Sequence, residues 1–361
     1  MFTKLTGGWQ ARLFRIALLN GDAVQDEGRR IVSPWFWFIV LCLSYSALVF
    51  FQDPWFSSGE MFAEMAVNYF HFAQSPDFST KYLSTDAGYM PVFQRLIAAL
   101  AVLLSLPATL IPYFYNGAAL VFSLLMAGLF VHPTFRILFQ NDGGRFLAAL
   151  SVLLVPIWEN STFINFTYTG IFSAAVIIAR LLVPAAQKPP WWIWTLPLLM
   201  LTKPYAIAFF PLLIAGLMLR DKRLRLLFGL SAAALGAQIF RLGMSLHQGI
   251  HPHSDTMHAA LTFVQKVEAA CLYTFAYMGG FFVGPPWLNT FPPQALSGLG
   301  IVIILITGWI VFKSEKQATS LFVVGITTVF GTFALNAFAL TKFYHVDAFI
   351  KGAEALTFSL D

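Results

Sequence analysis

Glu60 and Glu64 stand four residues apart in the stretch Ser58-Gly59-Glu60-Met61-Phe62-Ala63-Glu64, a spacing that sets two carboxylates on one helical face. Ser57 and Ser58 are capping residues ahead of them, so Glu60 is expected in a first turn, where the helix dipole favours negative charge. A carboxylate held there, just above a bilayer, could act as general base for an acceptor hydroxyl. The alternative is a surface helix that these acids merely cap and solubilise. Glu159, in the short polar stretch Trp158-Glu159-Asn160-Ser161-Thr162-Phe163-Ile164-Asn165, is a further acid, with Asn160 and Asn165 able to hydrogen-bond a sugar. An ordinary hairpin between helices explains that stretch equally well.

Two cations complete the set. Lys203, in Thr202-Lys203-Pro204, interrupts a run that is otherwise apolar from Trp191 to Leu219. An ammonium at such a depth should face a bundle interior or a wet cavity, and Pro204 breaks the helix beside it. That combination suits an anion. Arg95 lies four residues after Pro91, inside another apolar run, and needs a partner, for which Asp86 and a phosphate are candidates; snorkelling to the interface is the plain alternative. Asp86 and Tyr89 share the turn Thr85–Pro91, which delivers the chain into that run, and both are taken as substrate contacts. His247, His251, His253, Asp255 and His258 offer metal-ligand chemistry, but Pro252 spoils helical spacing and solvated loop histidines are the better reading. A resident metal is therefore not assigned, although a divalent ion fits the chemistry.

The elements that must hold these groups are membrane helices. The chain has 361 residues, 58% hydrophobic and only 11% charged, with a mean hydropathy of +0.71. Soluble domains carry about 25% charged residues, so too few are present to cover a water-facing surface. The 22 basic and 17 acidic residues are read loop by loop as topology, and no nucleic-acid partner is indicated. Cys42 and Cys271 both sit in apolar runs, which excludes a disulfide framework.

A spanning helix needs about 20 mostly apolar residues. Runs at 35–51, 93–111, 114–131, 146–157, 168–184, 204–219, 225–243, 297–312 and 318–341 qualify, and 191–201 and 271–283 are shorter, as half-spans or interfacial pieces. The expected fold is thus all-α, a polytopic transmembrane bundle of about nine to eleven segments. Residues 1–33 read as a cytoplasmic amphipathic segment and 34–361 as one transmembrane domain. The basic cluster Arg220-Asp221-Lys222-Arg223-Leu224-Arg225 and the N-terminus are both placed in the cytoplasm. Loop 52–92 then lies outside, carrying a juxtamembrane helix over 58–70. Strict alternation between the two basic anchors misses by one crossing, which points to 191–201 as a partial span.

This layout resembles the GT-C superfamily of membrane glycosyltransferases. The likeness rests on Gly59-Glu60-Met61-Phe62-Ala63-Glu64 in a long first outside loop, on the Thr202-Lys203-Pro204 break, and on Lys342-Phe343-Tyr344 near the end. It covers most of the chain through short motifs. The resemblance implies a polyprenyl-phosphate sugar as donor and a glycan, lipid or small molecule as acceptor. It assigns the catalytic base to Glu60, with Asp53 as its rival. Lys203 would lie near the lipid phosphate, with Arg95, Lys342 and Tyr344 nearby. An inverting transfer at the outer face of a bacterial inner membrane, in cell-envelope glycan or glycolipid synthesis, is the implied activity. A lipid-linked-sugar flippase and a catalytically silent assembly factor are the competing readings.

Overall fold

The computed structural model describes residues 33–52, 54–61, 65–78, 82–84, 90–154, 162–183, 189–247, 263–283, 291–313 and 316–334. Every regular element among them is helical, with no strand. Among the described residues three stretches are long and apolar enough to cross a membrane: Ala108–Val131, Lys222–Met244 and Pro293–Val311. The chain forms two compact units, one of residues 1–206 and 212–253, the other of 207–211 and 254–361.

In the first unit, helix α1 (Pro34–Gln52) buries Leu41, Tyr45 and Val49 at a spacing of four, while Trp35, Ile39, Leu43 and Phe51 on its other faces are exposed. A helix apolar all round is stable where lipid, not water, meets its outer face. The short helix α2 (Pro54–Ser58) follows, and after it a π-helical turn, Ala66–His71. Helix α3 (Val92–Leu103) and the long helix α4 (Ile111–Gly128) are separated by a tight reversal. Ser105 there takes a left-handed backbone with φ 51°, and the Leu106 N–H reaches the Ala101 carbonyl at 3.1 Å, which closes the helix end.

Helix α4 is about 27 Å long and organises the unit. At its C-terminal end Phe38 of α1 fills the space beside Gly128, so α1 runs antiparallel to it. Helix α5 (Asp142–Leu154) returns alongside, its first turn capped by Asn141, whose Oδ1 accepts from the Gly144 N–H at 3.0 Å. Helix α6 (Tyr168–Leu182) then runs parallel to α4. Its Ser173 hydroxyl donates to the Met126 carbonyl at 2.5 Å, and further along Arg180 Nε donates to the Thr134 carbonyl at 3.0 Å.

A 3-10 turn, Trp191–Thr195, and the one-turn helix α7 (Leu196–Leu199) come next. Helix α8 (Phe210–Gly216) leads to α9 (Lys222–His247), which Asp221 caps by accepting from the Arg223 N–H at 2.7 Å. Gly216 lets the Phe228 ring lie against α8.

Three expectations change. Residues 93–111 are not one spanning helix, because the Leu104–Pro107 reversal interrupts them. Phe93 packs on Phe122 (4.9 Å between ring centroids), while Ala98 and Ala101 join Ile111 and Tyr115 in one core cluster. Helix α3 therefore lies antiparallel to the first half of α4 and goes no further. Segment 191–201 is made of short pieces, as expected, a 3-10 turn and a one-turn helix, and it lies along α6. It starts with Trp192 against His132 and Phe135 and ends with Leu199 and Thr202 against Gly170. Residues 271–283 belong to a 21-residue helix, Phe263–Val283; Gln265, Lys266 and Glu268 lower the hydropathy of its first turns without opposing helix. The expected helix over 58–70 is broken at Gly59, whose φ is +71°.

The second unit holds α10 (Phe263–Val283), α11 (Pro293–Lys313) and α12 (Lys316–Ala334). Gly279 of α10 and Gly300 of α11 face each other across backbones. A Cβ on Gly300 would meet the Phe275 carbonyl, and one on Gly279 the Leu296 carbonyl. Close backbone approach of this kind is a main source of helix association in lipid. Gly300→Leu is expected to cost at least about 1–3 kcal/mol, because a carbonyl cannot rotate away as a side chain can. Thermal unfolding in detergent tests this, and a midpoint equal to wild type refutes it.

Candidate functional site

The turn Thr162–Thr167 is the hub of the first unit. Phe163 stacks on Tyr115 (4.1 Å between centroids, 11° between planes) and meets Tyr69 edge-on at 5.3 Å. Phe166 packs on Phe122 at 4.7 Å. With both rings anchored, the turn holds Asn165 and Tyr168 towards Lys203. The Lys203 Nζ lies 3.5 Å from Asn165 Oδ1 and 4.7 Å above the centre of the Tyr168 ring.

Lys203 is only 5% exposed. Its backbone belongs to no regular helix. Thr202 turns its hydroxyl back onto the Leu199 carbonyl at 2.7 Å, and a 3-10 turn begins at Pro204. The proline thus sets the ammonium at a helix break, as the sequence suggests. Holding a cation among an amide oxygen and an aromatic face keeps it ordered and partly dry, where its field is least screened.

Gln94 reaches the same turn from α3. Its Nε2 donates to the Ile164 carbonyl at 3.0 Å and to Thr167 Oγ1 at 3.3 Å, and its Oε1 is buried with no hydrogen bond. A single amide in an apolar run was the only sequence signal for it. Arg95, next in the chain, is buried and acts as a clasp: Nη1 donates to the Tyr82 and Ser84 carbonyls, each at 2.6 Å. The Phe72 ring covers its guanidinium at 4.8 Å. Tyr82 donates to the Val92 carbonyl at 3.0 Å. Burial pushes this phenol up to about 12, with Arg95 pulling the other way, so it stays protonated and keeps donating.

Glu60 is exposed and does not open a helix. Ser58 ends α2, Gly59 sits against Tyr113 of α4, and the Glu60 N–H turns back onto Ser58 Oγ at 3.3 Å. Met61, next in the chain, packs on the aromatic cluster that contains Tyr69, Tyr115 and Phe163. Glu60 thus stands at one edge of the hub and Lys203 at another. Asp53, Glu64, Asp86, Tyr89, Glu159, Asn160, Lys342 and Tyr344 lie outside the described residues, as do the loop histidines beyond His247. Among the described residues no three His, Cys, Asp or Glu side chains gather as metal ligands.

At the other end of α4 is a cluster that sequence reading passed over. Arg136 grips Asp142 with two bonds, Nε to Oδ1 at 3.0 Å and Nη2 to Oδ2 at 2.6 Å. Arg145 pairs with the same Asp142 Oδ1 and donates from Nη1 to the Phe139 carbonyl at 2.5 Å. Arg180 joins through Thr134, and all three arginines are buried. His132 Nδ1 accepts from the Thr134 N–H at 3.2 Å. Partial burial, and then the charge of Arg145, hold this imidazole below its ordinary 6.5.

That shift has a pH consequence. The unfolded chain takes up this proton more readily than the folded one, so the contribution of His132 to stability is complete above its ordinary pKa. It is lost as pH falls through 6.5 towards the folded value. Stability is expected to decline as pH falls below about 6.5. His132→Asn, which keeps an acceptor for Thr134, should flatten that decline, and an unchanged slope in the variant would remove His132 as its source.

No protein-family model matches this chain, and no curated protein or solved structure matches it either. Its chemistry therefore has to be read from the geometry around Lys203.

Proposed function

We propose that this protein is an integral membrane glycosyltransferase of the GT-C kind, moving a sugar from a polyprenyl-phosphate donor to an acceptor hydroxyl at the extracytoplasmic face. One observation carries the reading: a buried lysine, ordered at a helix break by Asn165 and Tyr168, shares an aromatic hub with the Glu60 segment. The membrane placement follows from charge. The α9 start, with Arg220, Lys222, Arg223 and Arg225, is taken as cytoplasmic. With α3 doubling back, and 191–201 and 204–216 read as two short passes, α1, α4, α5 and α6 complete six from a cytoplasmic N-terminus to that cluster. On this reading Glu60 and Lys203 stand on the outer half.

In the transfer, an acceptor hydroxyl attacks the anomeric carbon while Glu60 takes its proton. The bond between that carbon and the phosphate oxygen breaks, and its electron pair leaves with the polyprenyl phosphate. Lys203 meets the charge that grows on this leaving group. A single displacement inverts the anomeric centre. Asn165 offers its amide group to a sugar hydroxyl. A divalent ion, if held near the phosphate, would add to the charge stabilisation that Lys203 supplies.

The test is release of polyprenyl phosphate from a polyprenyl-phosphate sugar by the purified protein in nanodiscs. Glu60→Gln is expected to lower turnover by about 10²–10⁴ while insertion is unchanged. Full activity in that variant moves the base to Asp53 or Glu159. Donor binding without turnover in the wild type favours a carrier or a silent assembly factor instead.

A further inference from the structure

The cluster Arg136–Arg145–Arg180 lies one helix length from Lys203, since Tyr168 and Arg180 sit near opposite ends of α6. No part of the proposed transfer uses it. Two buried guanidiniums, Arg136 and Arg145, share one carboxylate, Asp142, and a third, Arg180, donates to the carbonyl of nearby Thr134. The bidentate grip of Asp142 on Arg136, with Arg145 on the same carboxylate, fixes two of the three cations in place, and the surplus of positive charge over this one carboxylate suits an anion.

The surroundings say at what level the cluster lies. Trp192 packs against His132 and Phe135 at 5.7 and 5.8 Å. Its neighbours Trp191 and Trp194 are exposed, as are Phe139 and Leu147 beside the arginines. Exposed tryptophans flanking apolar surface mark the headgroup level of a bilayer. His132 is exposed there too. Because its Nδ1 already accepts from Thr134, the neutral ring carries its proton on Nε2 and can donate to an anion.

We propose that this cluster is a binding site for the phosphate of an anionic phospholipid in the cytoplasmic leaflet, opposite the transfer site. Arg180, beneath Thr134, and His132 meet the phosphate, and Arg136 and Arg145, locked on Asp142, supply the standing positive field. Basic pockets between membrane helices on that side take anionic headgroups for the same electrostatic reason. The inference needs the chain to lie in a membrane but does not depend on sugar transfer.

The experiment compares the full chain in nanodiscs of phosphatidylcholine alone with nanodiscs in which about one third is phosphatidylglycerol. Lipid retained on the protein is read by native mass spectrometry, and the melting midpoint is read alongside. Phosphatidylglycerol should be retained preferentially and should raise the midpoint. Arg180→Gln should lower that preference about tenfold, Arg180→Lys should keep part of it, and Arg223→Gln, a surface charge on the same side, should leave it intact. Equal retention of both lipids by the wild type overturns the proposal, whether or not a variant folds. So does an equal loss in Arg223→Gln, which would mean diffuse attraction. Glycerol phosphate reproducing the midpoint shift in phosphatidylcholine discs would assign the site to a soluble phosphate and reject the lipid.

Discussion

Lys203→Met is expected to cut sugar transfer by about 10²–10³ without lowering thermal stability. The two halves of that statement have one cause. A buried ammonium is expensive to keep out of water, and an apolar side chain of similar volume at the same place is often neutral or stabilising. Lys203 is 5% exposed, with Asn165 and Tyr168 on it, so methionine fills its space and removes the charge. If the lysine served the fold, its loss would lower the melting midpoint. If it serves a leaving phosphate, the midpoint holds and turnover collapses. Lys203→Arg should restore only part of the activity, because the longer guanidinium can lie over the ring but carries its charge as a spread planar fork, not as a compact point. Measuring the midpoint and the release of polyprenyl phosphate on the same preparations decides the matter. Lost stability with retained turnover would end the assignment.

Asp142→Ala should be the most damaging single change to the first unit, at about 3–5 kcal/mol. Removing one partner of a buried ion pair leaves the other charge without its counter-ion, and here two arginines share the one carboxylate. Asp142 also closes the 132–141 segment onto the first turn of α5, so its loss frees backbone as well as charge. Asp142→Asn keeps the shape and one acceptor and should cost less. Thermal or denaturant unfolding of the three proteins in one detergent gives the order, and Ala and Asn falling equally would show that shape, not charge, matters. The same variants bear on the lipid site, since Arg136 and Arg145 would no longer be held in place.

Hydropathy and punctuation carried a good part of this molecule. The runs 35–51, 225–243 and 297–312 coincide with α1, α9 and α11, because a continuous apolar stretch has no other stable form in lipid. The break at Lys203 was equally legible, since a charge next to a proline in such a stretch has few alternatives. The span at 93–111 was not legible. Leu104 and Leu106 are as apolar as a helix interior, and only Pro107 hinted at the reversal. The setting of Glu60 was not legible for a related reason: Ser58 ends a helix, and Gly59 takes a positive φ against Tyr113, where the sequence suggests a capped helix start.

Segments 191–201 and 132–145 show the limit most clearly. Whether a broken run crosses depends on what lies at its two ends, and Trp192 against His132 and Lys203 against Asn165 are contacts between residues far apart in the chain. Arg136, Arg145 and Arg180 likewise look like ordinary loop and helix-end cations until folding gathers them. Local composition determined that this chain is helical, suited to lipid, and marked at residue 203 by a buried charge. Only the tertiary structure decided which helices turn back and which charges share a site. Solvent preference acts residue by residue along the chain, whereas charge and hydrogen bonding act across distances that only the folded packing makes short.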